Sequence, residues 1–123
     1  MQKIEAVIAI IIAIIVGVAG QILIKNALNS IEKLDFSTGA VSTYIRIFSE
    51  PYVMIGAATY IISIFFWIYG LSKVDLSYAY PFLALSYVLI LVGSWYFLGE
   101  SISTLRIIGV LIICAGVLIV ARS

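Results

Sequence analysis

Four apolar runs, each about twenty residues long, constrain this chain more than any other feature. They extend from about Ile4 to Ile24, Tyr52 to Leu71, Ser77 to Leu98 and Thr104 to Ala121. A hydrocarbon core about 30 Å thick takes about 20 helical residues to cross. Only helices or closed barrels satisfy their backbone polar groups in lipid, and these runs lack the period-2 alternation of barrel strands. The expectation is an all-α integral membrane protein, one four-helix domain over residues 1–123. The first run begins after Lys3 like a signal peptide. It continues well past the usual h-region of about 7–15 residues, and three similar runs follow, so it reads as a retained span.

Composition agrees and excludes several functions. Of the 123 residues, 64% are hydrophobic and 11% charged, with a mean hydropathy of +1.24. A soluble domain of this size needs more polar surface. A net charge of +1 gives no basic field for nucleic acid. There is no histidine, and Cys114 is the single cysteine. An intrachain disulfide and a cysteine/histidine zinc site are thus ruled out, and no cofactor or metal is expected. No nucleophile–base set points to an enzyme.

The links "SKVDLS" and "GESIST" are short, so spans two, three and four are antiparallel neighbours in sequence order. Gly99 suits a helix C′ position, and Ser101 or Ser103 an N-cap. Residues 26–51 form a longer connection. Within it Val41, Tyr44, Ile45 and Phe48 recur at helical spacing, with Arg46 and serines between. That pattern reads as a short interfacial helix; a solvated loop is the alternative. Lys3, Lys73 and Arg122 fall on one side of the membrane, and Lys25, Lys33, Arg46 and Arg106 on the other. This near-balance leaves orientation open and permits an antiparallel dimer.

Polar and small residues recur at three- and four-residue steps. Ala6, Ala9, Ala13, Gly17 and Gly20 form a packing stripe in the first span. Gly56, Tyr60, Ser63, Trp67 and Gly70 do so in the second, and Ser77, Tyr80, Ala84, Tyr87 and Ser94 in the third. Hydroxyls in lipid need partners or a wet cavity, so these faces are expected to point inward; plain helix packing is the alternative for Tyr60, Trp67 and Tyr87. Tyr52, Tyr78, Trp95 and Tyr96 read as interfacial belt residues. Pro81, near the start of the third span, suits a helix start, with a hinge as the alternative. Glu100 and Asp75 sit outside the hydrocarbon. In the fourth span Gly109 and Gly116 lie two turns apart with Ile112 and Ile113 between, a candidate mating face. Gln21 and Lys25 close the first span. No Asp, Glu or His lies in the hydrocarbon part of any span, although proton-coupled cation export normally needs one.

"GVAGQILIKNAL", "VDLSYAYPFLALSYVLI" and "LGESISTLRIIGVLIICAGVLIV" together resemble the small four-helix branch of the drug/metabolite transporter superfamily. The fourth span is similar to that of small multidrug resistance exporters, whose dimers form through this helix. That resemblance implies a small multidrug resistance-like dimeric bundle with Gly109, Ile112 and Gly116 at the interface and Tyr80 in a binding chamber. Those exporters carry a glutamate where this chain has Gly17. The "VAGQ…K", "AYP…LS" and Glu100 features are more similar to the subunits proposed to flip undecaprenyl phosphate–aminoarabinose across the bacterial inner membrane.

The resulting expectation is a dimeric translocator of a lipid-linked sugar or polyprenyl-phosphate carrier in a prokaryotic cytoplasmic membrane. Lys25 would attract the lipid phosphate, with Arg46. Gln21, Tyr60, Trp67, Tyr80 and Tyr87 would line the headgroup path. The partner is a second copy or a paralogue. A proton-coupled small-cation exporter and a non-transporting subunit of a larger membrane complex are the rival readings.

Overall fold

The computed structural model describes residues 2–31, 37 and 39–123. Lys33, one of the cations counted above, lies outside the described residues. The chain runs through α1 (Gln2–Ser30), α2 (Ala40–Phe48), α3 (Pro51–Leu71), α4 (Leu76–Ala79), a 3₁₀ segment (Tyr80–Ala84), α5 (Leu85–Phe97) and α6 (Thr104–Ala121). α1, α3, the composite α4–3₁₀–α5 and α6 are each long and apolar enough to cross a membrane.

Local chemistry sets several of the helix ends. Pro51 opens α3, where its fixed φ suits the first turn and its missing N–H is no loss. Gly99 adopts φ +67° just past α5, a left-handed conformation open to glycine without penalty. The Glu100 N–H then folds back to the Ser94 carbonyl at 3.1 Å. Ser103, rather than Ser101, caps α6: its Oγ accepts from the Arg106 N–H at 3.2 Å.

The centre of the bundle is the antiparallel pair α1–α3. Ala6, Ala9, Ala13, Gly17 and Gly20 are buried along one stripe of α1. Gly56, Ser63 and Gly70 are buried on α3. At the crossing the two backbones nearly touch. A Cβ added to Gly20 would sit 2.6 Å from the Gly56 carbonyl oxygen, and one added to Gly56 would sit 2.7 Å from the Gly20 oxygen. The stripe of small residues exists because this approach leaves no room for side chains. On its other flank α1 contributes Ile10, Ile14 and Val18 to a core with Ala79, Phe82 and Val117.

α2 occupies the long connection. Ile47 is buried with Ala27 and Val53, and Thr43 also faces inward. Val41, Tyr44, Ile45 and Phe48 stay exposed along one side. An exposed apolar side beside a polar edge carrying Arg46 is the geometry of a helix lying in the membrane interface.

The third span departs from a uniform helix. The sequence reading takes Pro81 as a helix start, but α4 makes a turn of α-helix before it, and Pro81 lies in the first turn of the 3₁₀ segment. Proline has no N–H to continue the α-helical ladder, which accounts for a tighter turn here. α6 is the least embedded span. Only 6% of its most apolar stretch is buried, against 39% for α1.

Candidate functional site

A groove of about 240 Å³ opens where α1, α3 and the 3₁₀ segment meet. α1 supplies Ala13, Ile14, Gly17, Val18 and Gln21, and α3 supplies Tyr60, Ser63, Ile64 and Trp67. Tyr80 and Leu83 enter from the 3₁₀ segment, and Ser86 from the first turn of α5. The volume lies just under the roughly 300–1,000 Å³ of drug-sized pockets, so it suits a headgroup rather than a whole lipid.

The groove combines flat aromatic walls with neutral polar atoms. Trp67 and Tyr80 meet edge to face, with centroids 6.0 Å apart and planes at 75°. The Ser63 and Ser86 hydroxyls donate back along their own helices, to the Tyr60 and Leu83 carbonyls. Each serine oxygen keeps lone pairs for an incoming donor. The Gln21 amide adds both donors and an acceptor. Hydroxyl acceptors, an amide and aromatic faces match the polar edges and apolar faces of a sugar ring.

Gly17 explains what the groove lacks. A Cβ built there would lie 3.3 Å from Ser63 Oγ and 3.8 Å from Tyr60 Cδ2, so any side chain at this position would project into the groove wall. The position that the resemblance aligns with the exporters' glutamate is thus at the groove wall, and here it is bare. Among the described residues, no carboxylate lines the groove. Among the described residues, no group of three His, Cys, Asp or Glu could hold a metal.

Of the residues singled out from the sequence, Gln21, Tyr60, Trp67 and Tyr80 share this groove, and three do not. Lys25 is exposed one turn beyond Gln21, about 6 Å along α1. Arg46 stands on the polar edge of α2. Tyr87 is 54% exposed and points elsewhere. The cause is the 3₁₀ segment. Five residues at about 120° each, in place of about 100°, advance the helix by about 100°. A four-residue step counted across it misassigns the face. Ser86 and Leu83, unremarkable in the sequence, take the place expected for Tyr87; the signal that could have found them is Pro81. Gly109 and Gly116 face open space, with nothing within 4 Å of an added Cβ, and Ile112 is exposed.

A family model described as the EamA-like transporter family matches residues 4–122. The chain belongs to this family. As an EamA-like chain with four spans it is a multi-pass membrane protein, in a family of transporters rather than enzymes. Among its relatives is a probable 4-amino-4-deoxy-L-arabinose-phosphoundecaprenol flippase subunit ArnF from Shewanella sediminis, 36% identical over 84 residues, covering 63% of this chain and 58% of the relative. The ArnF counterpart from Photorhabdus laumondii is 36% identical over 72 residues, 57% of each chain. A probable ArnE subunit of the same flippase from Aeromonas hydrophila is 39% identical over 70 residues, 57% of this chain and 61% of the relative. The chain thus spans about 57–61% of the length of these relatives. No solved structure matches at a significant level.

Proposed function

We propose that this EamA-like protein is a flippase-type translocator of a lipid-linked sugar or polyprenyl-phosphate carrier, acting in the cytoplasmic membrane of a prokaryote with a second copy or a paralogue. The observation that carries the reading is the carboxylate-free, hydroxyl- and aromatic-lined groove at Gly17, Gln21, Ser63, Trp67, Tyr80 and Ser86. A cation exporter needs a fixed negative charge in its path, and the described residues of the groove supply none. A sugar needs hydrogen-bond partners in exchange for water, because an unpaired hydroxyl in hydrocarbon costs several kcal/mol. The groove supplies them in the span interiors. The relatives named as flippase subunits support a lipid-linked sugar as the cargo class.

In this reading the headgroup moves along the groove while its hydrocarbon tail stays in the bilayer. Lys25 meets the phosphate at one end, with its stem along α1 and its ammonium at the interface. Arg46 adds positive charge from α2. The bare Gly109–Gly116 side of α6 is the face that a second subunit covers. Small residues at such a face allow the close approach that helix association in lipid requires.

Reconstituted protein and a fluorescent polyprenyl-phosphate sugar give the test. Lys25→Ala is expected to slow headgroup translocation by about tenfold, the loss of one charge-assisted phosphate contact. An unchanged rate would remove Lys25 from the path. Translocation equal to that of protein-free liposomes would defeat the translocator reading as a whole.

A further inference from the structure

Two serines line the groove from different walls. Ser63 stands on α3 across from Gly17, and Ser86 stands in the first turn of α5. Each hydroxyl donates to the carbonyl three residues back along the chain, Ser63 to Tyr60 and Ser86 to Leu83. A hydroxyl has a single proton, so toward a ligand both serines act as acceptors. Ser63 is only 6% exposed, so water does little to satisfy its remaining lone pairs. The space in front of it is kept open by Gly17: a Cβ there would stand 3.3 Å from Ser63 Oγ, where a ligand atom would otherwise sit.

The other polar groups of the groove can donate. The Trp67 indole N–H is a donor only, the Gln21 amide has two donors, and the Tyr60 and Tyr80 phenols donate or accept. A ring hydroxyl answers both kinds of partner. It gives its proton to a serine and accepts from an amide or an indole. A fluorine, an ether oxygen or a carboxylate in its place can only accept, and it meets the serine oxygens lone pair against lone pair. A serine that turned to donate to such a group would give up its bond to the carbonyl, and the gain would largely cancel.

We infer that Ser63 and Ser86 are specificity-determining residues of the groove. Each accepts the proton of a ring hydroxyl, so the groove selects a ring by its O–H donors. It rejects the same ring with those hydroxyls capped, fluorinated or oxidised to a carboxylate. The inference deepens the translocation reading and rests on it for the link to transport; the direction of the hydrogen bonds is a property of binding alone.

The test uses the full chain in phosphatidylcholine nanodiscs and hexyl glucoside, with analogues in which each ring hydroxyl in turn is replaced by fluorine. Fluorine is of similar size and removes the proton. Trp95, exposed and outside the groove, is changed to Phe, which leaves Trp67 as the sole tryptophan. Its fluorescence then reads occupancy, with ligand concentration corrected for partition into empty discs. Fluorination at two positions is expected to weaken binding about tenfold each, the loss of one hydrogen bond to a buried group. Ser63→Ala should abolish the penalty at one of these positions and Ser86→Ala the penalty at the other. Each alanine variant should bind its matching analogue as the native chain does, which shows that it is folded. Equal binding of every fluorinated analogue, or penalties that persist in both alanine variants, would overturn the assignment, as would a native chain that does not bind hexyl glucoside. Translocation that persists without this discrimination would remove the serines and leave the translocator standing. Discrimination without translocation would do the reverse.

Discussion

Replacing Gly20 with alanine tests the packing on which the groove depends. In an unconstrained helix this exchange is favourable by about 1 kcal/mol, because alanine has the better helix propensity. At Gly20 the new methyl would lie 2.6 Å from the Gly56 carbonyl oxygen and 3.1 Å from the Tyr60 nitrogen. Both are backbone atoms and cannot swing aside. Restoring an ordinary contact of about 3.4 Å requires α1 and α3 to part by about 0.8 Å, and overpacking of this kind costs about 1–3 kcal/mol. The expected result is a net loss of about 1 kcal/mol, the opposite sign to the propensity effect. Unfolding by SDS titration in mixed micelles, followed by tryptophan fluorescence, measures it. Gly109→Ala is the control, since nothing lies within 4 Å of a methyl there; it should be neutral or slightly stabilising. A Gly20→Ala protein as stable as the native one would refute the close α1–α3 crossing.

Three further outcomes follow from the same geometry. Gly17→Glu places a carboxylate beside Ser63 and Tyr60; it should abolish anionic headgroup translocation and confer pH-dependent binding of a lipophilic cation, measured by equilibrium dialysis. Pro81→Ala restores an N–H and lets the α-helix continue, turning Ser86 away from the groove; stability should hold or rise while translocation falls about tenfold in the liposome assay. Gly109→Ile with Gly116→Ile should leave monomer unfolding within about 0.5 kcal/mol and eliminate chemically cross-linked dimers in lipid.

The spans were legible because lipid imposes length and apolarity directly on sequence. α6 covers the fourth run at Thr104–Ala121, α3 begins one residue before the second, and the α4–α5 stretch is shifted by one residue at both ends of the third. The first extends to Ser30, six residues beyond Ile24, because Ala27 and Leu28 find cover beneath α2. The packing stripe of α1 was legible too, since small residues at three- and four-residue steps let a neighbouring helix approach closely in lipid. The groove was legible where its walls are regular α-helix, at Gln21, Tyr60 and Trp67. It was illegible past Pro81, where a change of helical pitch moves each later residue to a new face. The acid–base pairing of Glu5 with Lys73 depends on two distant segments meeting, which periodicity within one helix does not encode.

The α1–α3 crossing divides the protein mechanically. Two helices whose backbones touch at Gly20 and Gly56 act as a fixed jamb, with no slack to absorb movement. The opposite wall of the groove is the 3₁₀ segment, whose hydrogen bonds are poorer and whose neighbour α6 is scarcely anchored within the chain. Any widening of the groove would have to come from that wall, the door opposite the jamb. A second subunit seated on α6 would hold the handle.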